Sequence, residues 1–192
     1  MLESNSFLLI PHKQRSNDVY SILDGQTRDP IGIVLQQRRL LEPTLRLLGG
    51  WLPPRLSVLE GPDRSLVFTI RKVGLLFQPQ FEVLDAMGAR IGTLIRGGHA
   101  IHDRYASLVA TMAGSSAPGE YQFHSPDSAE SLACVSRDAS REGQLDGTGC
   151  LVVMSCKLDE QPFTKMLLLS ATVIAEQFGK RKLPAPALNS LR

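Results

Sequence analysis

Cysteine is scarce in this chain of 192 residues: Cys134, Cys150 and Cys156 are the only three, and none forms a C-x-x-C pair. So few, and an odd number, exclude a disulfide framework. Cys150 and Cys156 share strand parity but lie six residues apart, roughly 20 Å of extended chain at about 3.3 Å per residue. They cannot bridge within one straight strand. Buried free thiols in a reducing compartment are expected. A strong charge of either sign is also missing. Lys and Arg number 21 against 19 Asp and Glu, a net +2. That balance argues against nucleic acid or an acidic polymer as an obligate partner, so an anionic partner would have to be met by a local patch.

Long apolar runs are absent as well. The most apolar uncharged stretch, Met166 to Ala175, spans ten residues between Lys165 and Glu176. As a helix it would be about 15 Å long at 1.5 Å per residue. A bilayer core is about 30 Å thick and needs about 20 apolar residues. No transmembrane helix is predicted. The start, MLESNSFLLIPHK, lacks a basic region, and its apolar run Phe7 to Ile10 is too short for a signal-peptide core. The expected location is cytoplasmic, at most peripheral to a membrane.

What the sequence does contain is one pattern repeated. Tyr20 to Gln36 reads YSILDGQTRDPIGIVLQ, Leu56 to Lys72 reads LSVLEGPDRSLVFTIRK, and Phe81 to Gly97 reads FEVLDAMGARIGTLIRG. Each copy is an alternating strand, an acidic-then-small corner, a polar turn and a second alternating strand. Alternation places one set of side chains on one face, as a half-buried strand requires. The corners Asp24-Gly25, Glu60-Gly61 and Asp85-Ala86 supply turn chemistry. Tyr121 to Arg137 (YQFHSPDSAESLACVSR) is a weaker fourth copy. Such a unit cannot bury its apolar face alone, so the copies must share a core.

Near the C-terminus, Pro162 to Phe178 reads PFTKMLLLSATVIAEQF. Four consecutive apolar residues, Met166 to Leu169, cover most of a helix circumference, which predicts a helix buried on all sides. Asp159 and Pro162 suit its start. Gly179 with Lys180, Arg181 and Lys182 suits its end. Burying Phe163, Met166, Leu167, Leu168, Leu169, Val173, Ile174 and Phe178 would contribute on the order of 12–24 kcal/mol gross, at roughly 1.5–3 each. Hairpins that need a core and a helix that needs enclosure together predict a mainly β (α+β) fold: a closed antiparallel β-barrel around the helix, which also hides the sheet edges.

The order of these parts resembles the tubby C-terminal-like superfamily, and within it the phospholipid scramblase and LURP-one-related families. The segments that carry the resemblance are Tyr20 to Val34, LPPRLSVLEGPDRSLVFTIRK (Leu52 to Lys72), FEVLDAMGARIG (Phe81 to Gly92) and Leu151 to Phe178. The resemblance implies a barrel of about a dozen strands around the helix, and a membrane-facing role. The chain departs from animal scramblases in lacking a proline-rich arm and a cysteine cluster. The loop before the closing strand, REGQLDGTG (Arg141 to Gly149), offers only Glu142 and Asp146, too few for the six to eight oxygens calcium takes. Calcium-triggered scrambling is not expected.

Other motifs are weak. His99, His102 and Asp103 in GGHAIHD could ligate a metal only from a helix and lack a further ligand, so a loop is expected there. His12 and His124 have no identifiable partner. Gly114 to Gly119 fails the spacing of a nucleophile elbow, and Gly147-Thr148-Gly149 lacks the rest of a phosphate loop. No catalytic residue, metal or cofactor is assigned.

The resemblance also implies that lysine and arginine near the barrel surface bind lipid headgroups. Arg71, Lys72, Lys180, Arg181 and Lys182 are the candidates, with Arg38 and Arg39 a further cluster. Arg71 and Lys72 read equally as solvation of a strand end, and Lys180 to Lys182 as a helix cap. The division expected is a lead-in with an edge strand over 1–18, a barrel over 19–182 with its helix at about 162–178, and a loose tail over 183–192. Leu35 to Leu48 is ambiguous, since Pro43 argues against one helix. The expected function is a non-enzymatic intracellular module that binds anionic phospholipid, phosphoinositide or a membrane surface. The alternative is a soluble protein-interaction or scaffold domain with no lipid role. An enzyme using the barrel interior is disfavoured because the helix would fill it.

Overall fold

The computed structural model describes residues 1–12, 18–37, 55–73, 80–114, 120–128, 130–138 and 149–178. Twelve antiparallel strands close into a barrel, each bonded to its neighbours in chain order, with the last returning to the first. They are β1 (Ser6–Pro11), β2 (Asp18–Asp24), β3 (Pro30–Gln37), β4 (Arg55–Glu60), β5 (Ser65–Val73) and β6 (Gln80–Asp85), followed by β7 (Arg90–Ile95), β8 (Ala100–Asp103), β9 (Leu108–Gly114), β10 (Tyr121–His124), β11 (Ser131–Asp138) and β12 (Gly149–Met154). A helix, α1 (Pro162–Phe178), follows β12 after a short 3-10 turn.

The alternation in the repeated hairpins becomes inside and outside. Tyr20 and Ile22 in β2, Val34 in β3, Leu56 and Val58 in β4, and Phe68 and Ile70 in β5 are all buried in one core. Directly paired residues share a face, and Tyr20 lies opposite Val34, as Ile70 lies opposite Val83. The weaker fourth copy is the hairpin β10–β11.

Two parts of the barrel escape the alternation rule. The stretch expected as a lead-in with an edge strand holds β1, which pairs with β12 on one side and β2 on the other. It closes the barrel and is no edge, so the barrel begins at Ser6 and not at residue 19. Its four-residue run is apolar throughout because both faces are covered. Phe7 and Leu9 lie in the main core, while Leu8 and Ile10 join Leu23 in a second buried cluster. The GGHAIHD segment is not a loop but a 3-10 turn (Arg96–Gly98) leading into β8, so β8–β9 is a further hairpin. Gly98, at φ 97°, lies against α1: a Cβ there would come within 3.1 Å of the Ala171 carbonyl.

The aspartate corners act as expected, while among the described residues Glu60 shows no such turn bond and pairs with the Met1 amino group. Asp85 Oδ1 accepts from the backbone N–H of Met87 and of Ala89, at 2.9 and 2.8 Å. Asp103 repeats the motif with Tyr105 and Ser107, at 2.8 and 2.9 Å. A left-handed residue comes later in each turn, Gly88 in one, Ala106 in the other, and Arg28 and Arg64 in two more, while Gly61 beside its corner is left-handed as well. Asp85→Ala removes two hydrogen bonds from an exposed turn and should cost about 1 kcal/mol in a urea melt. A loss as large as that of a core truncation would contradict this geometry.

The helix lies inside, packed on β7, β8, β12 and the 3-10 turn before β8. Every residue from Lys165 to Ile174 is buried. Gly92 of β7 admits the close approach, because a Cβ there would collide with Leu167 and the His102 carbonyl. Ser170 and Thr172 satisfy their buried hydroxyls on the carbonyls of Met166 and Leu168, at 2.7 and 3.0 Å. Phe163 does not join the core as expected; it is 52% exposed at the helix start. The six large apolar residues from Met166 to Ile174 contribute on the order of 9–18 kcal/mol gross. Lys165, expected as an outer bracket of the apolar run, is itself 1% exposed.

Candidate functional surface: two unlike ends of a filled barrel

A helix on the barrel axis leaves the two ends and the outer wall as the surfaces on which function can act. The topology makes the ends unlike. The turns β2–β3, β4–β5, β6–β7, β8–β9 and β10–β11 all lie at one end, where β12 also finishes and α1 begins. The longer connections, and the exit of α1, belong to the other.

At the turn end the five turns carry Asp24, Asp29, Glu60, Asp63, Asp85, Asp103, Asp127 and Glu130 against Arg28, Arg64, Arg90 and Arg104. Several carboxylates are engaged. Asp24 accepts from the N–H groups of Gln26 and Thr27 at 2.8 and 2.9 Å, and from the Ser4 hydroxyl at 2.8 Å. These bonds, that of Thr27 foremost, hold its carboxyl below its ordinary value. Asp159, expected to start the helix, instead accepts from Asn5 Nδ2 at 2.6 Å and from buried Lys165 Nζ at 3.3 Å. The Asn5 amide first, and Lys165 second, hold its carboxyl low. Lys165 Nζ also donates to the Leu2 carbonyl at 3.0 Å, and the Met1 amino group pairs with Glu60. An open cleft of about 530 Å³ runs along Met1, Glu3, Asn5 and Asp24.

A folded pKa below the unfolded one stabilises the fold above the unfolded value, and that stability disappears as pH falls through the folded value. Asp24 and Asp159 should therefore make the protein acid-labile from about pH 4 downward. Melting temperatures followed by circular dichroism should drop over that range, less steeply in Asp24→Asn. An identical slope in the variant would contradict the assignment.

At the helix-exit end, Tyr20 and Tyr121 are buried beside α1. Burial, helped by the Glu176 carboxylate and then the Cys150 thiol, raises the Tyr20 phenol. Burial raises Tyr121 too, there with Cys150 ahead of Glu176. The candidate residues Arg71 and Lys72 end β5 here, but they do not form one patch. Successive strand residues face opposite ways. Arg71 lies opposite Glu82 and its Nη2 donates to the Glu82 carboxylate at 2.5 Å, while Lys72 lies opposite the buried Phe81. Lys180, Arg181 and Lys182, like Arg38 and Arg39, lie outside the described residues, as do residues 115–119, 139–148 and 179–192.

His99 and His102 straddle the start of β8, and among the described residues no three His, Cys, Asp or Glu gather as a metal set. Asp103 serves its turn, and His12 has a partner that the sequence did not reveal, the Ser21 hydroxyl at 2.8 Å. Among the three cysteines only Cys150 is buried; Cys134 and Cys156 are exposed, and none of the three is in a disulfide. No described helix is long and apolar enough to cross a membrane.

No family model matches the sequence, and no curated protein does. The fold is similar to the X-ray structure of a protein from Arabidopsis thaliana, with a TM-score of 0.55 and 12% sequence identity, over 88% of this chain and 90% of that one. At that identity the likeness extends to the fold alone.

Proposed function

We propose that this chain is a non-enzymatic, intracellular barrel module of the scramblase and LURP-one-related type, which binds anionic lipid headgroups or an anionic membrane surface through the end where α1 leaves. The observation that carries this reading is the excess of carboxylates at the turn end, which leaves the opposite end to face an anionic surface. The turn end is acidic. The segments joining strands at the other end, and the chain beyond α1, lie mostly outside the described residues. In sequence they carry Lys13, Arg15, Arg38, Arg39, Arg46, Arg96, Arg141, Lys180, Arg181, Lys182 and Arg192 against Glu42, Glu120, Glu142 and Asp146. Basic residues near an anionic leaflet contribute about 1 kcal/mol each, and the field orients the molecule as it approaches. The filled interior favours surface binding over an enclosed active site.

Two variants test the reading. Reversing Lys180, Arg181 and Lys182 to glutamate should weaken binding to phosphoinositide-bearing vesicles by at least about a hundredfold, given about 1 kcal/mol for each charge near the surface. Circular dichroism should first confirm that α1 survives the loss of its favourable C-terminal charges. Arg71→Ala should change binding little, because Glu82 already occupies the guanidinium. Undiminished binding by the folded triple variant would remove this cluster from the contact.

A further inference from the structure

The turn end has a property that lipid binding at the opposite end does not use. The exposed large apolar side chains among the described residues are Leu66, Met87, Tyr105, Leu108, Val153 and Phe163. All six belong to the half of the molecule nearest the turns: Val153 pairs with Ser6 at the start of β1, and Phe163 opens α1.

Met87 and Tyr105 are the most exposed, at 92% and 72%. They occupy the same position in two copies of one turn, each two residues after the aspartate and one before the left-handed residue. In each case the aspartate Oδ1 takes the N–H of the apolar residue itself. The two turns flank the paired strands β7 and β8, and Arg90 Nη2 donates to the Arg104 carbonyl at 3.2 Å across the gap. The Arg104 guanidinium lies 4.6 Å from the centre of the Tyr105 ring. Two large apolar side chains are thus held out from a rigid frame, which lowers the ordering cost of contact. Met, Tyr and Arg are the residue types enriched at the centres of protein interfaces.

We infer that the turn end is a docking surface for a basic segment of a partner protein, anchored by apolar side chains on Met87 and Tyr105. Charge complementarity selects this occupant. Around the helix start, Glu3, Asp159 and Glu160 add to the acidic turns, so acids outnumber bases at this end even with Lys157 and Lys165 counted. An anionic membrane or nucleic acid would be repelled here, whereas a cationic chain would be drawn in. The inference does not depend on the lipid reading, which concerns the other end.

The test is fluorescence anisotropy on the full chain with three dye-labelled peptides: one of arginine and leucine, one with glutamate for arginine, and one with serine for leucine. The arginine–leucine peptide should bind, and each of the others should bind at least about tenfold more weakly, a difference of about 1.4 kcal/mol. Met87→Ser with Tyr105→Ser should weaken the first peptide by a similar factor. Both side chains are exposed, so the melting temperature and binding to anionic vesicles should stay unchanged. Absence of binding, equal binding of the serine or glutamate peptide, or indifference to the double substitution would overturn the proposal. Loss of vesicle binding in the double variant would overturn it too, by making a membrane the occupant of this end.

Discussion

Truncating Leu168 to alanine is expected to destabilise the protein by about 2–5 kcal/mol. The side chain is fully buried at the middle of α1, within a wall of strands closed on every side. A closed barrel cannot collapse onto the space left behind as an open sheet might, so most of the cavity persists and its cost adds to the lost transfer energy. The midpoint in urea should shift several-fold further than for Asp85→Ala, with the slope unchanged. Equal, small losses for the two variants would mean that the helix is peripheral and the enclosed arrangement wrong.

Lys165→Glu is expected to be at least as damaging, about 3–5 kcal/mol. The lysine is buried at the mouth of the barrel, where its ammonium group faces the Leu2 carbonyl and the Asp159 carboxylate. A carboxylate in its place would meet two acceptors and no donor, and little water reaches the site. Lys165→Met should change stability by no more than about 1 kcal/mol, because methionine fills the space of the stem while a buried charge and its desolvation are removed together. Asp159, 54% exposed, can exchange its lost partner for water and keeps Asn5. Thermal melts of the pair decide the matter: a benign glutamate would show that Lys165 reaches solvent.

The barrel was legible in the sequence where strands are half-buried and invisible where they are not. β2 to β7 alternate because their outer faces meet water, and the corners Asp24 and Asp85 do pin their turns. β1 carries no alternation because both of its faces are buried, so it read as an edge strand outside the barrel. β8 has four residues after two glycines, too few for a period to show. Lys165 looked like a boundary because a charge normally marks one; only the Asp159 and Leu2 partners, contributed from either end of the chain, explain its burial. Phe163 looked like core by composition, but it precedes the first turn to enter the barrel. The basic clusters could be listed from sequence and not weighed. Pairing of Arg71 with Glu82 depends on strand register. The gathering of carboxylates at one end depends on knowing where each turn lies, which no local pattern encodes.

The central claim is that the helix-exit end meets an anionic surface. Flotation of the wild-type protein with vesicles at low and physiological salt tests it most directly. The account predicts co-flotation with phosphoinositide-bearing vesicles but not with neutral ones, weakening as salt rises and the Debye length shortens to about 8 Å. Failure to float with phosphoinositide-bearing vesicles even at low salt, or equal flotation with neutral vesicles, would contradict it.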